Sequence, residues 1–69
     1  MVEAITPLQM ALLRMVAKNP GIRRERLLET RGASAEDLAY LERHDMIRER
    51  EADCFRISHF GEMVLRRGA

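Results

Sequence analysis

The sequence has little of what builds disulfide-stabilised, membrane-spanning or secreted proteins. Its one cysteine, Cys54, excludes an intrachain disulfide, and a small domain without disulfides is typical of a reducing cytoplasm. No apolar run approaches the roughly 20 residues that a membrane-spanning helix needs. The first residues lack the basic and apolar regions of a secretory signal. We therefore expect a cytoplasmic protein with no membrane partner.

An excess of charge of one sign is also missing. Twelve basic residues stand against 11 acidic ones, so the formal net charge is +1, and a value so near zero does not mark a nucleic-acid binder. The distribution is uneven, because residues 23–33 carry four arginines and two glutamates whereas residues 34–45 carry one arginine and four acids. Any electrostatic binding surface must therefore be a patch on one face.

The residues that are present describe one small globular domain. The chain has 69 residues, 46% of them hydrophobic and 33% charged, a composition that argues against disorder. This length allows a single domain over residues 1–69, with a modest core and a narrow stability margin.

The first helix has clear signals at both ends. Thr6 is placed to cap it, Pro7 occupies its first position, and Gln9 falls where a capping box requires Glu or Gln. The helix should end near Lys18, because the Asn-Pro-Gly sequence at 19–21 cannot continue it.

Two further helices are predicted before the middle of the chain. Residues 22–30 indicate a short second helix, and Ser34, with Asp37 three residues later, is a capping pair for a third helix. The third helix should end near His44. Asp45 then takes the left-handed conformation, which aspartate tolerates better than most residues.

Residues 47–58 predict a β-hairpin. Phe55 and Ile57 alternate with Arg56, which is the period of a half-buried strand. Cross-strand partners share a face, so Ile47 joins the apolar side only if the loop has an odd number of residues. A three-residue loop at 51–53 pairs Ile47 with Ile57 and Glu49 with Phe55. It also places three arginines together on the outer face: Arg48, Arg50 and Arg56.

A last helix is expected from His59 to about Arg67, capped by Ser58, with Phe60, Met63 and Val64 turned toward the core. Some apolar residues of the terminal helices lie off the inward stripes, and a domain this small has little protein to cover them. We therefore expect a homodimer contact through four residues: Met10, Leu13, Ala17 and Leu65.

Two motifs resemble winged helix-turn-helix domains, in particular small bacterial or phage transcriptional regulators. In Leu41–Arg48 a leucine ends the third helix, and an apolar pair and an arginine enter the hairpin; Asp45 stands where that family usually has glycine. In Phe55–Gly61 an aromatic and an aliphatic residue end the hairpin, a serine caps the next helix, and a glycine follows three residues later. The resemblance covers nearly the whole chain and implies a mainly α protein with a small β-hairpin (α+β), a three-helix core, a two-stranded wing and a C-terminal helix.

The resemblance also implies a function, which is regulation of transcription through double-stranded DNA. In that family the third helix enters the major groove and the wing contacts the backbone or minor groove. Carried over by position, the residues that would face bases are Ala35, Glu36, Ala39, Tyr40 and Arg43. The residues that would contact phosphates are Arg23, Arg24, Arg48, Arg50 and Arg56.

A second hypothesis is a protein-interaction module that does not bind DNA. It is favoured by the near-neutral charge and by the acids Glu36 and Asp37 at the start of a short third helix, since acids oppose phosphate binding. We expect no enzyme, because no nucleophile–base pair or phosphate loop is present. We also expect no cofactor or metal, because Cys54, His44 and His59 lack zinc spacing and number fewer than four.

Overall fold

The computed structural model describes residues 5–68. Its elements, in chain order, are α1 (Pro7–Lys18), β1 (Ile22–Arg23), α2 (Arg24–Leu28), α3 (Ala35–Arg43), β2 (Ile47–Glu51), β3 (Cys54–Ile57) and α4 (His59–Gly68). The three strands form one antiparallel sheet in the order β1-β3-β2. Within residues 5–68 the architecture is therefore a small α+β arrangement of four helices and a three-stranded sheet.

The predicted start and end of α1 are confirmed. The Thr6 hydroxyl accepts from the Gln9 N–H at 3.0 Å, and the Gln9 Oε1 atom accepts from the Thr6 N–H at 3.1 Å. Gln9 is only 8% exposed, and its Nε2 atom donates to Asp37 at 3.3 Å. The same side chain therefore completes the cap and ties α1 to α3.

The core is built from apolar residues of α1, α2, α3, the turn after α3 and the inner face of the sheet. Its buried members are Leu12, Leu13, Val16, Ile22, Leu27, Leu38, Leu41, Met46, Ile47 and Phe55. Leu12 and Leu13 are both completely buried, so adjacent positions on α1 face protein. A fully buried leucine contributes about 1.5–3 kcal/mol of transfer free energy. Because α1 is covered by protein on more than one side, it is the central helix of the domain.

The predicted helix at 22–30 is wrong at its start and too long at its end. Its first two positions form β1, and α2 covers only five residues. The Gly21 N–H donates to the Phe55 carbonyl at 2.9 Å, and the Arg24 N–H donates to the Asp53 carbonyl at 2.7 Å. These bonds hold the segment against β3 before the helix begins. The expected two-stranded hairpin is consequently part of a three-stranded sheet.

The third helix begins and ends as predicted. The backbone N–H of Ser34 donates to the Asp37 carboxylate at 3.0 Å, and His44 is the residue at the C-cap. Asp45 follows with φ 61°, in the left-handed region. Its N–H donates to the Glu42 carbonyl at 3.0 Å, which closes the last turn of α3 before the chain enters β2.

The register of the hairpin is confirmed, and its loop differs from the prediction. The partners are Ile47 with Ile57, Arg48 with Arg56, Glu49 with Phe55, and Glu51 with Cys54. Glu51 therefore belongs to the ladder rather than to the loop, which contains Ala52 and Asp53. The extra residue is accommodated by an irregularity between Glu49 and Glu51, where one additional residue bulges from the strand.

The inward face of α4 differs from the prediction. Phe60 is 47% exposed, which contradicts its expected place in the core. Gly61 is buried instead, and a Cβ there would collide with the Met46 carbonyl. Val64 packs against the core as expected, and Leu65 packs there too. The helix is thus oriented by the close approach at its glycine rather than by its largest apolar side chain.

Candidate functional site

Four arginines lie on the solvent side of the sheet. Ile22 is opposite Phe55 and both are buried, so the next pair along, Arg23 and Cys54, lies on the other face. By the same alternation Arg48 and Arg56 are opposite each other on that outer face. We define the arginine face as Arg23, Arg48, Arg50 and Arg56, all of them exposed.

The arginine face has a surplus of positive charge. Its one acid by strand pairing is Glu51, which lies opposite Cys54. Within the part of the chain that the structure describes, Arg50 and Arg56 form no ion pair. A concave region of about 510 Å³ is lined by Gly21, Arg50, Glu51, Cys54 and Arg56. Its walls therefore present two unpaired guanidinium groups around an open space.

Arg48 differs from the other arginines because it has a specific partner. Its Nε atom donates to Oδ1 of Asp45 at 2.9 Å, and its Nη2 atom donates to Oδ2 at 3.2 Å. This two-point bond lowers the pKa of the Asp45 carboxyl below its ordinary value and raises the pKa of the Arg48 guanidinium. The pair links the turn after α3 to the start of β2.

The Arg24 side chain contacts other residues of the domain. Its Nε atom lies 3.1 Å from Asp53, its Nη2 atom lies 3.7 Å from Glu49, and its guanidinium carbon lies 4.9 Å from the centre of the Phe55 ring. The side chain is 32% exposed. Although the sequence placed Arg23 and Arg24 together as phosphate contacts, Arg24 bonds to Asp53 and lies over the Phe55 ring, whereas Arg23 lies on the arginine face.

The outer side of α3 contains the other residues expected at an interface. Four of them are exposed, namely Ala35, Glu36, Ala39 and Arg43. Tyr40 is half-buried, and its ring centre is 4.3 Å from that of His44 with the planes tilted by 41°. His44 is not among the residues predicted for the site, although its spacing of four residues from Tyr40 on a helix was the available signal.

The acid Asp37 is largely occupied by internal hydrogen bonds. It accepts from the backbone and the hydroxyl of Ser34 and from the amide of Gln9. Glu36, in contrast, is exposed. Of the two acids that weighed against phosphate binding, one is therefore part of the capping arrangement of α3 and only the other projects freely.

The structure joins one end of α3 to the arginine face and leaves the other end separate. The ion pair of Asp45 with Arg48 makes the junction at the C-terminal end of the helix. Among residues 5–68, no hydrogen bond or ion pair connects Glu36, Ala39 or Arg43 to the arginine face. The outer side of α3 and the arginine face are therefore adjacent at the C-terminal end of the helix, and they do not form one bonded cluster.

The expected dimer residues are covered to different degrees. Leu13 is completely buried within the monomer, so it has no surface for a second copy. Met10, Ala17 and Leu65 are half-buried. The large apolar side chain that is most exposed among the described residues is instead Phe60, which the sequence had placed in the core.

Neither metal-binding clusters nor membrane-spanning segments occur in the described residues. No group of three or more His, Cys, Asp or Glu side chains in residues 5–68 is arranged to hold a metal ion, and Cys54 is a free, half-buried thiol. No helix in the same range is long and apolar enough to cross a membrane. Comparison with family models, with curated proteins and with solved structures finds no match to this chain.

Proposed function

We propose that this chain is a winged helix-turn-helix protein that binds double-stranded DNA as a small transcriptional regulator. In this proposal α3 is the helix that enters the major groove, and β2 and β3 form the wing. The order of helices, with a hairpin between α3 and α4, supports it. Within the arginine face, Arg23, Arg50 and Arg56 supply contacts to phosphates.

The observation that carries the proposal is the opposition of Arg48 and Arg56 across the strands. Like charges directly opposite each other in a sheet are mildly destabilising. Arg50 and Arg23 add to the same face, where strand pairing brings Glu51, while Asp45 is bonded to Arg48 and Glu25 lies 3.9 Å from Arg23. A polyanion such as the DNA backbone would relieve this repulsion and would release counterions on binding.

The dimensions and side chains of α3 suit a groove. An α-helix with its side chains is about 10–12 Å in diameter, which fits a major groove about 12 Å wide. Ala35 and Ala39 are small and exposed, so the helix backbone can approach base edges closely. Arg43 has the donors that recognise guanine, and Glu36 has an acceptor for the cytosine amino group.

The test is a titration with random duplex DNA at two salt concentrations. We expect binding at low salt that weakens steeply as salt rises, with Arg50→Ala combined with Arg56→Ala lowering the slope of log K against log salt by about 2. The control, Arg66→Ala with Arg67→Ala in the last turn of α4, removes the same charge elsewhere and should leave the slope unchanged. Absence of binding at low salt, or equal losses in both double variants, contradicts the proposal.

A homodimer belongs to the same proposal, because paired half-sites match a two-fold protein. Met10, Ala17 and Leu65 keep part of their surface exposed in the monomer. Light scattering should give twice the chain mass of 8.0 kDa, and Ala17→Arg should convert the dimer to a monomer while Ala39→Arg on α3 should not. A mass of 8.0 kDa at all concentrations contradicts the dimer.

A protein partner is the second candidate, and the contact between the Tyr40 and His44 rings favours it. Tyrosine beside a charged rim is common in the centres of protein interfaces, and Glu36 and Arg43 provide such a rim here. Under this hypothesis Tyr40→Ala removes a specific partner from a pull-down, whereas Arg66→Ala on α4 retains it. A pull-down that is unchanged by Tyr40→Ala rejects this version.

A further inference from the structure

Asp45 is fixed at the corner between α3 and β2. Its φ of 61° puts the backbone in the left-handed region, its N–H donates to the Glu42 carbonyl at 3.0 Å, and its own carbonyl accepts from the hydroxyl of Ser58. Ser58 is 8% exposed. The backbone that carries the Asp45 carboxylate is therefore held from both sides.

This fixed carboxylate determines the direction of the Arg48 side chain. The two hydrogen bonds use the Nε and Nη2 atoms along one edge of the guanidinium. A guanidinium has five N–H donors, so three remain for another ligand. The side chain is 58% exposed. Arg48 therefore presents an accessible set of donors whose orientation is determined before any ligand arrives.

The neighbouring arginines lack such a device. Arg50 and Arg56 form no ion pair with any other described residue, and both are exposed. Their long side chains sample many rotamers, which suits a diffuse attraction to phosphates. The arginine face therefore contains two types of cation, namely Arg48, which is directed by the Asp45 carboxylate, and Arg50 and Arg56, which are free to adapt.

A carboxylate beside a DNA contact has a cost for general affinity. Asp45 repels phosphates and cancels part of the charge of Arg48, so it opposes binding that depends on charge alone. A preorganised donor loses less entropy when it meets a ligand of matching geometry, and it rejects a ligand whose acceptors are displaced. A contact that reads bases requires a donor with a fixed direction, even when the affinity for DNA of any sequence is lowered.

We propose that Asp45 is a positioning residue that orients Arg48 for a base-edge contact, so that Arg48 contributes sequence discrimination while Arg50 and Arg56 contribute sequence-independent affinity. This inference rests on the proposed DNA-binding function. Because Arg48 is bonded to Asp45 at the end of α3, the helix proposed to enter the major groove, the acceptor is the O6 and N7 edge of guanine in that groove, which a guanidinium contacts through two hydrogen bonds. Three donors of Arg48 remain after the bonds to Asp45, which is enough for that contact.

The experiment compares two variants with the same change of charge. The wild-type protein first selects its tightest duplex from a random pool, and affinity is then measured for that duplex and for a scrambled duplex of equal composition. Asp45→Asn keeps a residue that tolerates positive φ but removes the carboxylate, and should lower the ratio of the two affinities about tenfold. Glu51→Gln removes one negative charge from the outer face of the sheet and should raise both affinities without changing their ratio.

A second pair of variants keeps the net charge constant. Arg48→Lys loses the planar fork that matches a carboxylate or a guanine edge, and should lower the ratio as Asp45→Asn does. Arg56→Lys should leave the ratio unchanged. This pair decides the outcome even if the backbone at position 45 does not accept asparagine.

The results separate this inference from the proposed function. If the wild-type protein binds no duplex at low salt, the proposed function fails and the inference fails with it. If it binds duplexes without sequence preference, or if Asp45→Asn and Glu51→Gln change the ratio equally, DNA binding stands and the role of Asp45 is overturned.

Discussion

The hydroxyl of Ser58 is hydrogen-bonded to the backbone carbonyl of Asp45, thirteen residues earlier in the chain. The same hydroxyl also donates to the carbonyl of Met46 at 3.1 Å, and its oxygen accepts from the N–H of Gly61 at 2.9 Å. One buried side chain thus joins the end of α3 to the first turn of α4. The contact therefore holds together the start of β2 and the end of β3, the two strands that connect these helices.

Ser58→Ala should lower the free energy of unfolding by about 1–2 kcal/mol, because it removes a helix cap and the hydroxyl that donates to the Asp45 carbonyl. Ser34→Ala is the matched control, since Ser34 is also a helix-capping serine but is exposed. It should cost less. Urea unfolding followed by circular dichroism measures both, and equal costs would show that the contact between Ser58 and Asp45 contributes nothing to stability.

Gly61→Ala should destabilise the domain by about 1–3 kcal/mol through overpacking. The added Cβ would meet the Met46 carbonyl and would lie 2.8 Å from the Ile57 Cγ1 atom. For a domain of this size, each kcal/mol lowers the melting temperature by about 4–8 °C. Glu62→Ala, on the exposed side of the same helix, should change stability by less than about 0.5 kcal/mol. A melting temperature unaffected by Gly61→Ala would contradict the close approach of α4.

Arg24→Ala should affect stability and not the salt dependence of DNA binding, and Arg56→Ala should do the reverse. Arg24 bonds Asp53 and lies over the Phe55 ring, so its loss should lower the free energy of unfolding by about 1 kcal/mol and leave the salt dependence of DNA binding unchanged. Arg56→Ala should leave thermal stability unchanged and lower the salt slope by about 1. Melting curves and titrations on the same samples distinguish the two, and a reversed pattern would contradict the assignment of Arg24 to the interior side.

Replacing Arg48 with glutamine should raise the pKa of Asp45 toward its ordinary value. The Arg48 hydrogen bonds are the main cause of the lowered pKa. A depressed aspartate pKa adds stability that is present above the unfolded value of about 3.9 and is lost as the pH falls through the folded value. Carboxyl NMR titration measures the pKa directly. Arg56→Gln is the control and should not move it; an equal pKa of Asp45 in all three proteins would show that the ion pair does not form.

The parts of the fold that follow local rules were predictable from the sequence. The cap of α1 by Thr6 and Gln9, the left-handed Asp45 and the pairing of Ile47 with Ile57 each depend on residues close in the chain or on the parity of a hairpin. These features also placed Arg48 opposite Arg56, so the centre of the candidate site was predictable as well.

The features that the sequence did not reveal depend on distant contacts. Ile22 and Arg23 are extended because β3, some thirty residues later, supplies their partners. Phe60 is exposed because Gly61 determines how closely α4 approaches the Met46 carbonyl. Arg23 and Arg24 are adjacent in the chain, yet a junction of strand and helix turns their side chains apart. Periodicity cannot report any of these effects, because each is decided by a neighbour in space.

The position of β3 in the middle of the sheet has a consequence for synthesis of the protein. The partners of Ile22 and Arg23 are Phe55 and Cys54, and nearly half of the chain separates them. While the ribosome is still translating the segment before these partners, α1 can form but the strand after it has nothing to pair with. We therefore expect the native tertiary structure to form late and cooperatively, once residues 54–57 have emerged.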